Sequence, residues 1–278
     1  MKRRKVRRRQ SIFFFGIILI LIIFCTTLIG FKYYSSSKVS TKKSFQIESR
    51  LKNVKMSNKE EESNYKTIGW VRVEGTNIDY PVIHSSSPSS GYPVEYESYG
   101  WSINNDTKFH NRISIIGHNI FNLSSTPKIQ SEKFKRFEAL MAFVYYDFAK
   151  DNRNIQLTID GKDYLYKIFS IGFVSVSNTT SFPYKDDYSL DEMKDHIDIL
   201  RKNSFFDYDI DVNENDSIVS LITCTRFFGS QNDYEIFVNA RLLREGEKID
   251  NYGMKKNNNY DLIQKILKGD EYDEEDSL

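Results

Sequence analysis

A mostly antiparallel β-barrel or β-sandwich is the fold class that this sequence predicts, and three observations predict it. Short apolar segments with period-two alternation recur between about residues 65 and 243. Tight-turn signals separate them, chiefly Gly75-Thr-Asn and Asp160-Gly161. Only two stretches in the same region carry a helical period. Many short strands with few helices pack as one sheet closed on itself or as two sheets face to face.

Taken in order, Gly69-Trp-Val-Arg-Val73 alternates, and Gly75-Thr-Asn-Ile78 turns the chain into Ile78-Asp-Tyr-Pro-Val-Ile83. Arg112–Ile116 is a short apolar run that ends at Gly117-His118. The first helical pattern spans about Glu132–Phe143, with Phe134, Phe137, Leu140 and Met141 on one face. Asn154–Ile159 alternates cleanly, and Asp160-Gly161 predicts a hairpin into Tyr164–Val176. The second helix starts at a capping box, Ser189-Leu-Asp-Glu192, and runs to about Lys202 with Met193, His196, Ile197 and Leu200 on its apolar side. Two late strands, Ser217–Cys224 and Glu235–Leu243, complete the set.

The ends of the chain carry different information. Residues 1–10 form a basic head with Lys2, Arg3, Arg4, Lys5, Arg7, Arg8 and Arg9 and no acid. Residues 11–31 are uncharged and dominated by Ile, Leu and Phe. About 20 such residues at roughly 1.5 Å each are enough to cross a hydrocarbon core. The cations before the span place the N-terminus in the cytoplasm and the rest of the chain outside. A cleaved signal peptide is the rival reading, and it exports the body equally. Residues 32–64 read as a juxtamembrane stalk, residues 65–250 as one extracellular domain, and residues 251–278 as an acidic, disordered tail. With the head set aside, the exported part is mildly acidic, which argues against nucleic acid as a partner.

Of the two cysteines, Cys25 falls inside the apolar span, which leaves Cys224 as the single exported thiol. An unpaired thiol in an oxidising compartment is exposed to oxidation, and a role as nucleophile explains its presence. Such a thiol requires a base or cation that holds it as thiolate, and donors for the oxyanion. Among the four histidines, His118 emerges from a buried strand into a loop and is the candidate general acid/base. His84 ends a strand and is a weaker second choice, His110 reads as a loop residue, and His196 as a packed one. Arg226 lies two positions after Cys224, on the same face if the strand continues, and is a candidate for holding an oxyanion or orienting substrate. Thr223 and Asn119 are candidate substrate-binding neighbours. No metal motif and no cofactor motif is present: the acids in Asp207–Asp211 lack the Gly and terminal Glu of a calcium loop, and no Gly-rich phosphate loop occurs.

Together these residues resemble the sortases, membrane-anchored cysteine transpeptidases of Gram-positive bacteria. Leu221-Ile-Thr-Cys224 is similar to the family's cysteine strand end, and Ile116-Gly-His118-Asn119 to its histidine motif. The histidine precedes the cysteine by about a hundred residues, as in the family. Trp70–Val82 and the helix at 189–202 are similar to class B members in particular. The resemblance implies a closed β-barrel of about eight strands with a few peripheral helices. It implies partners too: secreted proteins bearing a C-terminal sorting signal, cleaved after threonine, and an amine acceptor that is a peptidoglycan precursor or a pilin lysine. Two departures stand out. The family's arginine at the start of the strand after the cysteine is absent from Asn232-Asp-Tyr-Glu-Ile-Phe-Val238, which leaves Arg226 ahead of Arg241 as its substitute. The segment Tyr92–Phe109 lacks a sequence common in class B. A catalytically silent, membrane-tethered binding module is the reading from a different class.

Overall fold

The alternating segments pair into one closed barrel in the computed structural model, which describes residues 66–84, 100–102, 109–175, 187–229, 234–249 and 252–269. The strands are β1 (Lys66–Val73), β2 (Asp79–His84), β3 (Gly100–Ser102), β4 (Arg112–Ile116), β5 (Asn154–Ile159), β6 (Lys162–Ser175), β7 (Phe206–Tyr208), β8 (Ile218–Thr225), β9 (Tyr234–Leu242) and β10 (Met254–Lys256). Around the barrel the order is β1-β2-β3-β4-β8-β9-β6-β5, and β5 returns to β1. All neighbours are antiparallel except β2–β3 and β4–β8. Closure leaves the barrel without a free edge among the described residues. The expected barrel of about eight strands is therefore the observed one, with β7 and β10 forming a separate two-stranded ribbon.

Local chemistry explains the hairpin. Ile159 pairs with Lys162 across a two-residue turn whose central residues, Asp160 and Gly161, have φ of 52° and 73°. Those positive angles match the right-handed twist of the flanking strands, and Asp-Gly tolerates them at low cost. Inside the barrel, Val71, Ile115, Ile155, Leu157, Ile171, Leu221, Ile236 and Val238 are buried. Phe173 adds aromatic contacts to Phe205, Phe227 and Phe228 with ring centroids 4.9–5.1 Å apart. Such pairs contribute about 0.5–1.5 kcal/mol each beyond simple area burial.

Among the described residues, three α-helices accompany the barrel: α1 (Tyr146–Asp151), α2 (Leu190–Lys202) and α3 (Asn258–Lys268). The capping box of α2 is made as read, Ser189 Oγ accepting from Glu192 N and the Glu192 carboxylate from Ser189 N. Its apolar side packs on the outside of the barrel, where Met193, Ile197 and Leu200 cluster with Phe169, Ile218, Ile222 and Phe237.

Two expectations are corrected. The helix expected at Glu132–Phe143 is a 3-10 helix over Phe137–Val144, followed by α1. All eight of its residues are buried, so no single face is selected and the tighter helix threads through apolar surroundings. Even Glu138 is buried there, its carboxylate turned back to accept from Arg136 N and pair with the Arg136 guanidinium. The acidic tail expected from residue 251 onward is ordered over Met254–Lys268, where β10 pairs with β7 and α3 buries Tyr260, Leu262, Ile263 and Ile266. Four apolar side chains at helical spacing outweigh the surrounding polar composition. Among the described residues, no helix is long and apolar enough to cross a membrane. The expected head, span and stalk, at residues 1–64, lie outside the described residues, as does most of Tyr92–Phe109.

Candidate active site

The parallel pairing of β4 with β8 builds the site. Its register sets Arg112 against Ile218 and Ile116 against Ile222. Two further bonds carry that alignment past the end of β4: Gly117 N donates to Ile222 O at 3.0 Å, and Thr223 Oγ1 donates to Gly117 O at 2.6 Å. One more step along the same register brings His118 level with Cys224. Asn119 secures this, its side-chain amide donating to Cys224 O at 3.0 Å and to Asn122 O at 3.1 Å, while its oxygen accepts from Asn122 N at 3.0 Å.

Both candidate residues are held by their neighbours, Cys224 near the end of the β8 pairing and His118 in the loop two residues past β4. His118 is half-buried, and its carbonyl accepts from Phe137 N at 3.0 Å. Gly117 is obligatory for close packing, since an added Cβ would lie 2.2 Å from the Phe137 ring. Alternation along β8 turns Leu221, Thr223 and Thr225 into the barrel and Ile222 and Cys224 outward, so the thiol is exposed while its neighbours are buried. It emerges where the α2-covered outer face gives way to solvent. The turn after His118 presents Ile120 and Phe121 as exposed apolar side chains, whereas Asn122, anchored to Lys128 N and O and to Glu138 O, fixes the turn from below.

The other sequence candidates occupy different places. β8 ends at Thr225, and residues 226–229 form a turn closed by Gly229 N donating to Arg226 O, so strand alternation does not extend to Arg226. Arg226 is exposed near the site, its backbone N–H donating to Leu123 O at 3.2 Å. Arg241 is buried and bound to Glu247 and to the Asp211 and Leu242 carbonyls, which makes it structural. Thr223 and Asn119, the candidate substrate-binding neighbours, are both buried, and their side chains brace the β8 end and the loop after β4. His110 pairs with Asp187 at 3.0 Å. His196 accepts from Arg112 Nε at 2.9 Å and stacks on Tyr188. Burial first, and the Arg112 cation second, push its pKa down to about 2, so it stays neutral. His84 closes β2, paired with Ser102 of β3 and not with β8.

Sequence reasoning gave no role to Gly117, Asn122 or Glu235. The last pairs directly with Cys224 across β8 and β9. It opens the strand read at Glu235–Leu243, where the residue noted was the missing arginine.

Residues 71–243 match the family model of the Sortase domain. The chain belongs to the sortase family. Its fold is shared with sortase B of Clostridium perfringens (24% identity, TM-score 0.51, covering 64% of this chain and 93% of that one). It is shared equally with the sortase B of a Streptococcus pneumoniae type II pilus (21%, 0.51, 68% and 98%). A Staphylococcus aureus sortase B–substrate complex is similar as well (17%, 0.52, 65% and 81%). No curated protein matches the chain in sequence. Cys224 is the next-to-last residue of β8, and His118 follows the end of β4 by two residues on the neighbouring segment.

Proposed function

We propose that this sortase is a membrane-tethered transpeptidase of class B type that cleaves a C-terminal sorting signal after threonine and joins the acyl group to a cell-surface amine. The observation that carries this reading is the β4–β8 register, with Asn119, the residue after His118, donating its side-chain amide to the backbone oxygen of Cys224. The Cys224 thiolate attacks the threonine carbonyl, forming a thioester as the peptide C–N bond breaks. His118, protonated, donates to the leaving amine. The neutral imidazole then takes a proton from the incoming amine, which attacks the thioester and releases the thiolate. Arg226 faces the carbonyl oxygen from the turn after β8, and Ile120 and Phe121 offer an apolar edge to the peptide.

The uncharged span at residues 11–31 and the basic head support tethering with the domain outside, where secreted substrate and wall precursor meet. A peptidoglycan stem or cross-bridge amine is the proposed acceptor. A pilin lysine is the alternative acceptor. Hydroxylamine as a small acceptor tests the chemistry. The full-length protein with threonine-containing sorting peptides should give the threonine hydroxamate, and Cys224→Ala and His118→Ala should give none. Hydroxamate formation that persists in Cys224→Ala rejects the reading.

A further inference from the structure

Two strands flank β8, and each brings one ionisable side chain level with the nucleophile. On the β4 side this is His118, two residues past the end of the strand, where the register continued through Gly117 sets it beside Cys224. On the β9 side it is Glu235, the direct antiparallel partner of Cys224, with Val174 of β6 opposite Glu235 in turn. Direct cross-strand partners share a sheet face, with Cβ atoms about 4.5–5.5 Å apart. The Glu235 carboxylate thus stands on the thiol's own face, half-buried, beside a half-buried Val174 and an exposed Cys224. Glu235 is the second residue of β9, at the strand start where the sortase resemblance leads one to expect an arginine. The sign of the charge there is reversed.

We propose that Glu235 is a specificity-determining residue that binds a lysine or arginine of the sorting signal, on the acyl side of the scissile threonine. The proposal rests on the acyl-transfer reading above. In that chemistry His118 serves both the leaving amine and the incoming one, so both amines occupy the β4 side of the thiol. The residues preceding the threonine are left to the opposite side, over β9, where Glu235 lies. A carboxylate beside a thiolate is a like charge that opposes it, and a bound substrate cation offsets that repulsion while fixing the peptide's register. Glu235 forms no covalent bond and transfers no proton: it orients the peptide.

The test is thioester formation by the full-length protein, measured as kcat/KM on peptide pairs that differ only in lysine, glutamine or glutamate upstream of threonine. Wild type should favour the lysine peptide about tenfold over glutamine, the gain expected of one half-buried charged contact. Glu235→Gln should erase that preference, and Glu235→Lys should transfer it to the glutamate peptide, a reversal that a merely structural role does not produce. An unchanged lysine preference in Glu235→Gln overturns the proposal. So does a wild type that acylates the three peptides equally, or a Glu235→Gln whose only defect is a raised KM for a cationic acceptor, which assigns the residue to the second substrate. A wild type that forms no thioester with any peptide removes the acyl-transfer reading itself, and the proposal with it.

Discussion

Asn119→Ala removes the clamp between the histidine loop and the cysteine strand, and its cost follows from the bonds it breaks. The side chain makes three hydrogen bonds, of 3.0, 3.0 and 3.1 Å, with Cys224 O, Asn122 N and Asn122 O. It is 7% exposed, so water replaces those bonds poorly. At about 1 kcal/mol net per bond, with an added penalty for orphaned partners, the fold loses about 2–4 kcal/mol. For a domain of this size, that corresponds to a fall in Tm of about 5–15 °C. Thermal unfolding of the full-length protein in detergent, followed by tryptophan fluorescence, measures it. Activity should fall further than stability, since a displacement of about 1 Å between reacting groups can cost about a hundredfold. Acylation rates taken well below the lowered Tm should therefore drop by about that factor. An Asn119→Ala protein that keeps both the wild-type Tm and the wild-type acylation rate refutes the bracing argument.

Gly117→Ala should be more damaging, because its methyl would meet the Phe137 ring at 2.2 Å within packed backbone, and soluble expression with a cooperative melt reads this directly; a wild-type melt would show that the loop is not tightly packed. His196, held neutral with its pKa near 2, becomes protonated in the unfolded chain below about pH 6.5. Stability should hence decline by about 1.4 kcal/mol per pH unit as pH falls below 6.5, and His196→Gln should flatten that slope in unfolding curves taken between pH 6.5 and 5. Glu247 has its pKa lowered, by the Arg241 hydrogen bond first and then by Arg244 N and Lys167. Its contribution is present above its ordinary value of 4.5 and is lost as pH falls below that, so Glu247→Gln should lower Tm at pH 7 and lose less on acidification to pH 3.

How much of this was legible in the residues depended on whether the determinant was local. The Asp160-Gly161 hairpin and the Ser189–Glu192 capping box are written in adjacent residues, and both form as read. Cys224 and His118 could be singled out as candidates from residue type and order along the chain alone. Their alignment could not, since a parallel pair joining segments 106 residues apart leaves no local pattern, and only the register shows it. Glu235 was hidden for the same reason: its partner across the ladder is fixed by the β8–β9 pairing. The segment Phe137–Val144 misled because a run buried on every side has no periodicity from which to tell a 3-10 helix from an α-helix. α3 was overlooked because charged neighbours masked Tyr260, Ile263 and Ile266 on one helical face.

The central claim is that Cys224 forms a thioester with a threonine acyl group. Intact-protein mass spectrometry of the full-length protein, incubated with a small library of threonine-containing sorting peptides and quenched in acid, tests it most directly. The account predicts a mass increase equal to the peptide segment ending at threonine, located on Cys224, absent in Cys224→Ala and released by an added amine. An adduct that forms on Cys224→Ala, or a wild-type protein that gains no mass with any peptide, contradicts it.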